Sequence, residues 1–338
     1  MPAIKLDVAI RLTGDLRHDA EQIKRAEQLG FDAVWVSETA HNPFFPLSIA
    51  AKETDRIRLG TRDAAAFPRS PMVAAQIAWD LARQSGGRFI LGLSMLQREH
   101  IERRFSEDWR DPVGRMREYI ESLRAIWTSF QTDARLRYRG KHYQFRLMAP
   151  FFNPGPIATP EAPVYLTGLN PEDCQLAGEI CQGLHAHELH TASYLRQVVI
   201  PSVEKGLDIA ERERSDFEVT APVFVMSGET GGERDRAARA LRKRLATYSS
   251  NPSFRQVMSL HGWGALADEL QEMAGKKSWA AVQDAMTDDL LHEFTVIAKP
   301  DDIYAALVDR YAGIVDRVCL EWNADNPRLL EAIAGSRD

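Results

Sequence analysis

The sequence predicts a parallel (β/α)8 barrel, and three observations carry that expectation. Short apolar runs alternate with amphipathic helical stretches through the first hundred residues, the pattern of successive βαβ units. Several of these runs are apolar almost continuously, as strands covered on both faces are. Eight of them can be counted along the 338 residues, the number that closes such a barrel.

The first strand, residues 5–12, ends in the turn Thr13-Gly14-Asp15. Leu16, Ala20, Ile23, Ala26 and Leu29 then recur at helical spacing, and Gly30 stands where that helix should stop. DAVWVS (32–37) is the second strand, followed by a helix through 46–54 and a third strand at 56–61. Ser70 and Pro71 suit the cap and first turn of a helix that shows Val73, Ile77 and Leu81 on one face. RFILGL (88–93) is the fourth strand. A doubly wound dinucleotide-binding sheet shares this alternation, but no GxGxxG opens any of these helices.

The middle of the chain departs from the rhythm. A strong helix carries Met116, Tyr119, Ile120, Leu123, Ile126 and Trp127. RLRYRGKHYQF then reads as a hairpin turning at Gly140, and a proline-rich loop follows over 150–163. The stretch is too long for a simple connection and is expected to be an insertion over the barrel mouth. Strands resume at 164–167, 183–187, 219–226 and 317–321. Residues 251–294 give helix and turn with no strand signal, a second insertion.

Composition narrows the class of function. A net charge of −6 argues against nucleic acid as a bulk partner, because phosphate binding needs a concentrated basic surface. The runs 98–104 and 234–244 mix bases with acids and read mainly as solvated helix faces. Three cysteines without CxxC spacing suit a reducing compartment better than a disulfide framework or zinc site. The opening residues lack a signal-peptide pattern, and no apolar stretch approaches the roughly 20 residues of a membrane span. A cytoplasmic protein with no membrane partner is expected.

Chemistry in such barrels gathers at the carboxyl ends of the strands. That rule selects Glu38 and His41, the stretch Thr61-Arg62-Asp63-Ala64, Ser94 and Met95, Thr167 to Asn170, His185 and His187, and Glu321 with Trp322. His185, His187 and His190 look like metal ligands, but 190 should fall beyond the strand that carries the other two, so no metal is expected. No GxSxG elbow or reactive-cysteine signature is present. Thr167-Gly168-Leu169-Asn170-Pro171 joins a strand to a helix, where free N–H groups and the helix dipole favour an anion. Gly168 would allow close backbone approach, although a plain βα turn has the same composition.

Four blocks then converge: LGFDAVWVSE (29–38), TDRIRLGT (54–61), RSPMVAAQIAWDLARQSGGRFILGL (69–93) and VYLTGLNP (164–171). Together they resemble the bacterial luciferase-like monooxygenase superfamily, and within it most of all the oxidoreductases that use the deazaflavin coenzyme F420. HIERRF (100–105), FFNPGP (151–156) and LHGWG (260–264) are similar to one actinobacterial-type subgroup. The resemblance spans nearly the whole chain. It implies one luciferase-like TIM barrel domain over 1–338, with insertions at about 130–160 and 251–294 on the carboxyl-terminal face.

It also implies a tricyclic ring across the mouth, with a bulge and a non-prolyl cis peptide behind it at Thr61, Arg62, Asp63 and Ala64. His41 lies near the family's histidine position, displaced from the commonest spacing, and would hydrogen-bond or move a proton beside the hydride-exchanging carbon. Glu38 would position the ring or orient His41. The phosphate-bearing tail would run toward Ser94, Thr167, Gly168, Leu169 and Asn170, with His187 close by. Relatives usually continue LGLG with another small residue, whereas this chain has Ser94-Met95-Leu96-Gln97. The bulkier Met95 and Leu96 would crowd the tail, and Arg98 and His100 would supply charge-assisted contacts.

The implied activity is hydride transfer between coenzyme F420 and a small organic substrate. FMN enzymes share these blocks, so an FMN-dependent monooxygenase fed by a separate reductase is the alternative. A barrel with impaired cofactor binding that acts as a binding protein is the third. Family members are commonly homodimers.

Overall fold

The structure is a computed structural model and describes residues 4–248, 251–322 and 327–337. Its centre is a closed parallel barrel of β1 (Lys5–Ile10), β2 (Ala33–Val36), β3 (Arg58–Thr61, continued at Ala64–Ala65), β4 (Phe89–Ser94), β5 (Val164–Gly168), β6 (Gly183–Ala186), β7 (Glu218–Pro222) and β8 (Arg317–Glu321). Each strand pairs with the next, and β8 returns to β1 with Lys5 opposite Arg317. All four residues of β2 and all six of β4 are buried, which is why these runs carry so little polar alternation.

Helices ring the barrel. Asp15 caps α1 (Leu16–Gln28) by accepting from the N–H groups of Arg17 and His18, and Ser70 caps α3 (Pro71–Gln84) through the N–H of Met72. Between them, α2 (Phe44–Glu53) buries Leu47, Ala50 and Ala51. The long α4 (Pro112–Thr132) turns Met116, Tyr119, Ile120, Leu123 and Ile126 inward, and α5 (Pro171–Ile180) follows β5.

The barrel interior is polar toward its floor. Arg317 donates to both carboxylate oxygens of Asp7 at 2.7 and 2.6 Å, and the Trp35 indole N–H donates to Asp7 at 2.8 Å. All three side chains are fully buried. Below them Glu218 gathers Lys5, Arg58, the Tyr165 hydroxyl and Arg317. Burial opposes its ionisation, but Arg317, Lys5, Tyr165 and Arg58 outweigh it and hold the Glu218 carboxyl down at about 2.

A carboxyl depressed in the folded state stabilises fully above its unfolded range, about 4.3, and loses that contribution as pH falls through its folded value. Glu218→Gln is therefore expected to flatten the fall in unfolding free energy between about pH 4.5 and pH 2. Urea titrations at stepped pH check this, and an unchanged slope would show that the cluster does not govern acid stability.

The structure differs from the sequence expectation at three places. The run expected as one strand over 219–226 breaks at Val223. Pro222 has no N–H to carry the ladder onward, and Phe224–Ser227 instead pairs in parallel with Thr295–Ala298, a strand the sequence reading missed. That second strand is only four residues long and follows directly on a helix, so it carries no periodic signal of its own. The insertion after α4 contains the hairpin expected around Gly140. Its ribbon, Tyr138–Arg139 with Gln144–Phe145, lies along α4 because Glu118 accepts the N–H groups of Lys141, His142 and Tyr143, while Tyr138 donates to Glu121. Finally, the bulge in β3 is present at Arg62 and Asp63, but its peptide bonds are trans.

Candidate active site

The β3 bulge is held by side chains on both sides. The Thr61 hydroxyl donates to the Gly92 carbonyl at 2.7 Å and accepts from the Gly92 N–H at 2.9 Å, replacing the ladder bonds that the bulge interrupts. A Cβ on Gly92 would lie 1.9 Å from the Thr61 carbonyl oxygen, so only glycine fits there. Glu38, at the end of β2, takes a two-pronged ion pair from Arg69 at 2.7 Å on each oxygen and accepts from the Ala65 N–H at 2.9 Å. Asp63 in turn accepts the Glu38 N–H at 3.1 Å. Glu38 thus braces the bulge through Arg69, and its carboxylate is not paired with His41.

Above the bulge a cavity of about 580 Å³ opens at the carboxyl ends of β1, β2, β3, β7 and β8. Arg11, Arg62, Glu188, Arg244, Tyr248 and Glu321 supply its charged and phenolic wall, and Val223, Phe224 and Leu320 an apolar one. Arg244 bridges Glu188 at 2.7 Å and Glu321, and its guanidinium lies 4.8 Å from the Phe224 ring centroid. The Tyr248 hydroxyl donates to the other oxygen of Glu188. Burial works against Glu188 ionising, but Arg62, Arg244 and His187 outweigh it, so the group stays an acceptor.

Arg62 is different. Its side chain is only 18% exposed, and its guanidinium stands 3.8 Å from the Asp63 carboxylate, beyond hydrogen-bond reach. The guanidinium meets no acceptor among the described residues, although its backbone carbonyl accepts from the Thr167 hydroxyl at 2.6 Å. Burial disfavours its charge, but Asp63 and Glu188 outweigh that and raise the Arg62 pKa. A charged, largely enclosed fork of donors therefore faces the cavity with its capacity unmet.

Other residues expected from the sequence lie apart from this cavity. His41 is exposed, and its ring packs over Gly14, where a Cβ would come within 2.7 Å of the ring. Thr61 is buried and engaged with Gly92 as described. The Ser94 hydroxyl accepts the Leu96 N–H at 3.0 Å, and Leu96 adopts a left-handed backbone with φ of 57°. Arg98 is exposed and paired with Glu102 at 2.8 Å, and His100 is exposed.

The Gly168 carbonyl accepts the His187 N–H at 3.0 Å, Leu169 is buried, and Asn170 stands at the N-cap position of α5 without a side-chain capping bond, its amide oxygen accepting from the Ser253 hydroxyl at 3.3 Å. His187 uses Nδ1 to accept the Leu189 N–H at 3.2 Å, and burial lowers its pKa. Ser94 and Thr167 to Asn170 thus form one arc of the rim at β4 and β5, the cavity occupies the opposite arc, and Arg62 and His187, whose ring packs edge-on against Tyr248 at 6.1 Å, stand between the two. Among the described residues no three His, Cys, Asp or Glu side chains stand together as a metal site. His185 is fully buried against Trp35, at 4.4 Å between ring centroids, with both ring nitrogens unpartnered.

Glu188, Arg244 and Tyr248 were missed from sequence. Glu188 follows the sixth strand directly and obeys the strand-end rule. Arg244 and Tyr248 sit on the helix Gly231–Tyr248, whose mixed charges resemble any solvated face, and nothing in their spacing shows that the helix reaches the mouth.

With this geometry in hand, the comparisons with known proteins agree. The luciferase-like monooxygenase family model matches residues 4–317, and the chain belongs to that family. It is 39% identical over 329 residues to an uncharacterized protein of Mycobacterium tuberculosis, covering 97% of this chain and 96% of that one. It is 28% identical over 288 residues to the 5,10-methylenetetrahydromethanopterin reductase of Archaeoglobus fulgidus, covering 83% and 82%. Among solved structures it is similar to the coenzyme F420-dependent tetrahydromethanopterin reductase of Methanopyrus kandleri, with TM-score 0.80, 19% identity and coverage of 99% and 98%. The chain is a luciferase-like oxidoreductase.

Proposed function

We propose that this oxidoreductase transfers a hydride between coenzyme F420 and a small organic substrate at the mouth cavity. The observation that carries this reading is the enclosed Arg62 guanidinium without an acceptor, placed at the β3 bulge. When bound, a deazaflavin supplies hydride chemistry and reacts poorly with oxygen. The cavity falls within the usual range of about 300–1,000 Å³ for ligand pockets. Arg62 would hold the electron-rich edge of the ring. Tyr248, whose proton is directed at Glu188, would offer the cavity an acceptor, while Phe224, Val223 and Leu320 exclude water.

The anionic tail would leave along the β4–β5 arc, past Ser94, Thr167, Gly168, Leu169 and Asn170, with Arg98 and His100 farther out. Asp173 borders this arc, its Cβ 2.8 Å from where a Gly168 side chain would begin. Burial and the neighbouring Glu172 push its carboxyl up to about 7, so near neutrality it does not hold a full negative charge against a phosphate. His41 would act as proton partner after its ring leaves Gly14 and turns over the mouth. A homodimer belongs to the same reading, and exposed Phe45 and Val73 on the adjacent α2 and α3 suit a subunit contact. The three buried free thiols suit a cytoplasmic setting.

Spectral titration of the purified protein with coenzyme F420 and with FMN tests the proposal. Micromolar F420 binding without oxygen-dependent turnover is expected. Tight FMN binding with oxygen-dependent turnover would move the protein to the monooxygenase reading. Failure of both would leave a binding protein on a barrel scaffold.

A further inference from the structure

The segment between Asp133 and Glu161 contains no acidic residue, yet it carries Arg135, Arg137, Arg139, Lys141 and Arg146 in a chain whose net charge is −6. The structure folds this charge onto one face. Arg135 and Arg137 in the segment leading into the ribbon, and Arg139 in its first strand, are exposed. The antiparallel register pairs Tyr138 with Phe145 and Arg139 with Gln144. Arg137 and Arg146 are the next residues beyond its Tyr138–Phe145 end, and both line one hollow. Like charges gathered around one hollow are destabilising unless something neutralises them.

The protein itself provides little neutralisation. Lys141 is paired with Asp111, but none of these four arginines has an ion pair among the described residues, and Arg146 finds only the Gln144 amide oxygen. Their side chains and Tyr138 enclose a hollow of about 330 Å³. The face is also prearranged, because Glu118 and Glu121 fasten the ribbon to α4 from behind.

Apolar side chains follow at once. Leu147 is 74% exposed, Phe151 90% and Phe152 58%. The two phenyl rings pack edge to face at 5.3 Å as a single knob on a 3-10 turn. At most about 18 Å of extended chain separates Arg146 from Phe151.

We propose that this ribbon and knob form a docking face for an anionic phospholipid surface. Phosphate oxygens would enter the arginine-lined hollow, and Phe151, Phe152 and Leu147 would enter the boundary of the acyl region. An acidic protein would answer the arginines, but it would need a matching pocket for a projecting aromatic pair. A bilayer interface offers anionic phosphate and an apolar layer side by side without one. No described helix is long and apolar enough to cross a membrane, so the association would be peripheral. The inference is independent of the cofactor reading, since no residue of the ribbon or knob lines the mouth cavity.

Co-sedimentation of the full chain with phosphatidylcholine vesicles, with and without phosphatidylglycerol, tests it. Binding at low salt should rise at least tenfold with phosphatidylglycerol and fall with added salt. Basic residues near an anionic bilayer contribute about fivefold each, so R137E/R139E should lose binding by more than tenfold. F151S/F152S should weaken it severalfold while leaving its salt dependence intact. All four side chains are exposed, so melting temperatures should hold and report that the variants fold. Equal binding to both vesicle types, or no binding to either, overturns the proposal. So would a wild-type dimer that R137E/R139E dissociates, or a tighter response to a soluble acidic peptide than to vesicles.

Discussion

Asp7→Asn is expected to lower the unfolding free energy by about 3–5 kcal/mol, the usual cost of removing one partner from a buried ion pair. The Arg317 guanidinium is enclosed inside the barrel, and its two short hydrogen bonds to Asp7 are its principal compensation. Burial works against its charge, but Asp7 and Glu218 outweigh that and raise its pKa; a guanidinium does not deprotonate in proteins, so it cannot escape the loss of Asp7 that way. Asparagine keeps an acceptor for Trp35 but leaves the cation with only Glu218, at 3.5 Å, as counter-charge. The paired substitution D7L/R317M separates the cost of an orphaned charge from the worth of the pair. Replacing both ions by apolar groups is often neutral, so the double variant should be more stable than the single one. Urea denaturation measures both. A single variant within about 1 kcal/mol of wild type, or a double variant less stable than the single, would show that the pair does not anchor the barrel.

This ion pair also shows where the sequence becomes hard to read. The strand KLDVAI was recognisable because its leucine, valine and isoleucine face the helices, yet the same strand carries Asp7 into the centre of the barrel. Parallel strands buried on both sides carry no polar–apolar alternation that would reveal which polar residues are enclosed. The eight strands and most helices were therefore legible, whereas the polar floor was not. The rim was legible by halves. Glu38, Arg62 and Asp63 followed from the strand-end rule, and the structure joins them through the bulge. Arg244 and Tyr248 reach the mouth only because a helix far along the chain crosses it, and helix docking leaves no local trace in sequence. Arg98 shows the converse, since its i,i+4 partner Glu102 was visible in the sequence and holds it in solvent.

Arg62→Met is expected to weaken coenzyme F420 binding by about 10- to 100-fold, following the roughly 1.5–3 kcal/mol carried by a hydrogen bond to a charged group. Arg62→Lys keeps the charge but loses the planar fork, so its affinity should fall between. Arg98→Ala should change affinity by less than about twofold, because an exposed ion pair on a helix contributes little. Deazaflavin fluorescence titration reads all three. Stability supplies the decisive contrast. The Arg62 guanidinium makes no hydrogen bond among the described residues, so a methionine of similar length loses only the longer-range attraction of Asp63 and Glu188. R62M should therefore melt within a few degrees of the wild-type temperature while binding cofactor much more weakly. A merely structural arginine would behave in the opposite way, losing stability first and affinity only as a consequence. Retained affinity with a lower melting temperature would remove Arg62 from the site. Lost affinity with nearly unchanged stability would mark it as a group that serves the ligand more than the fold.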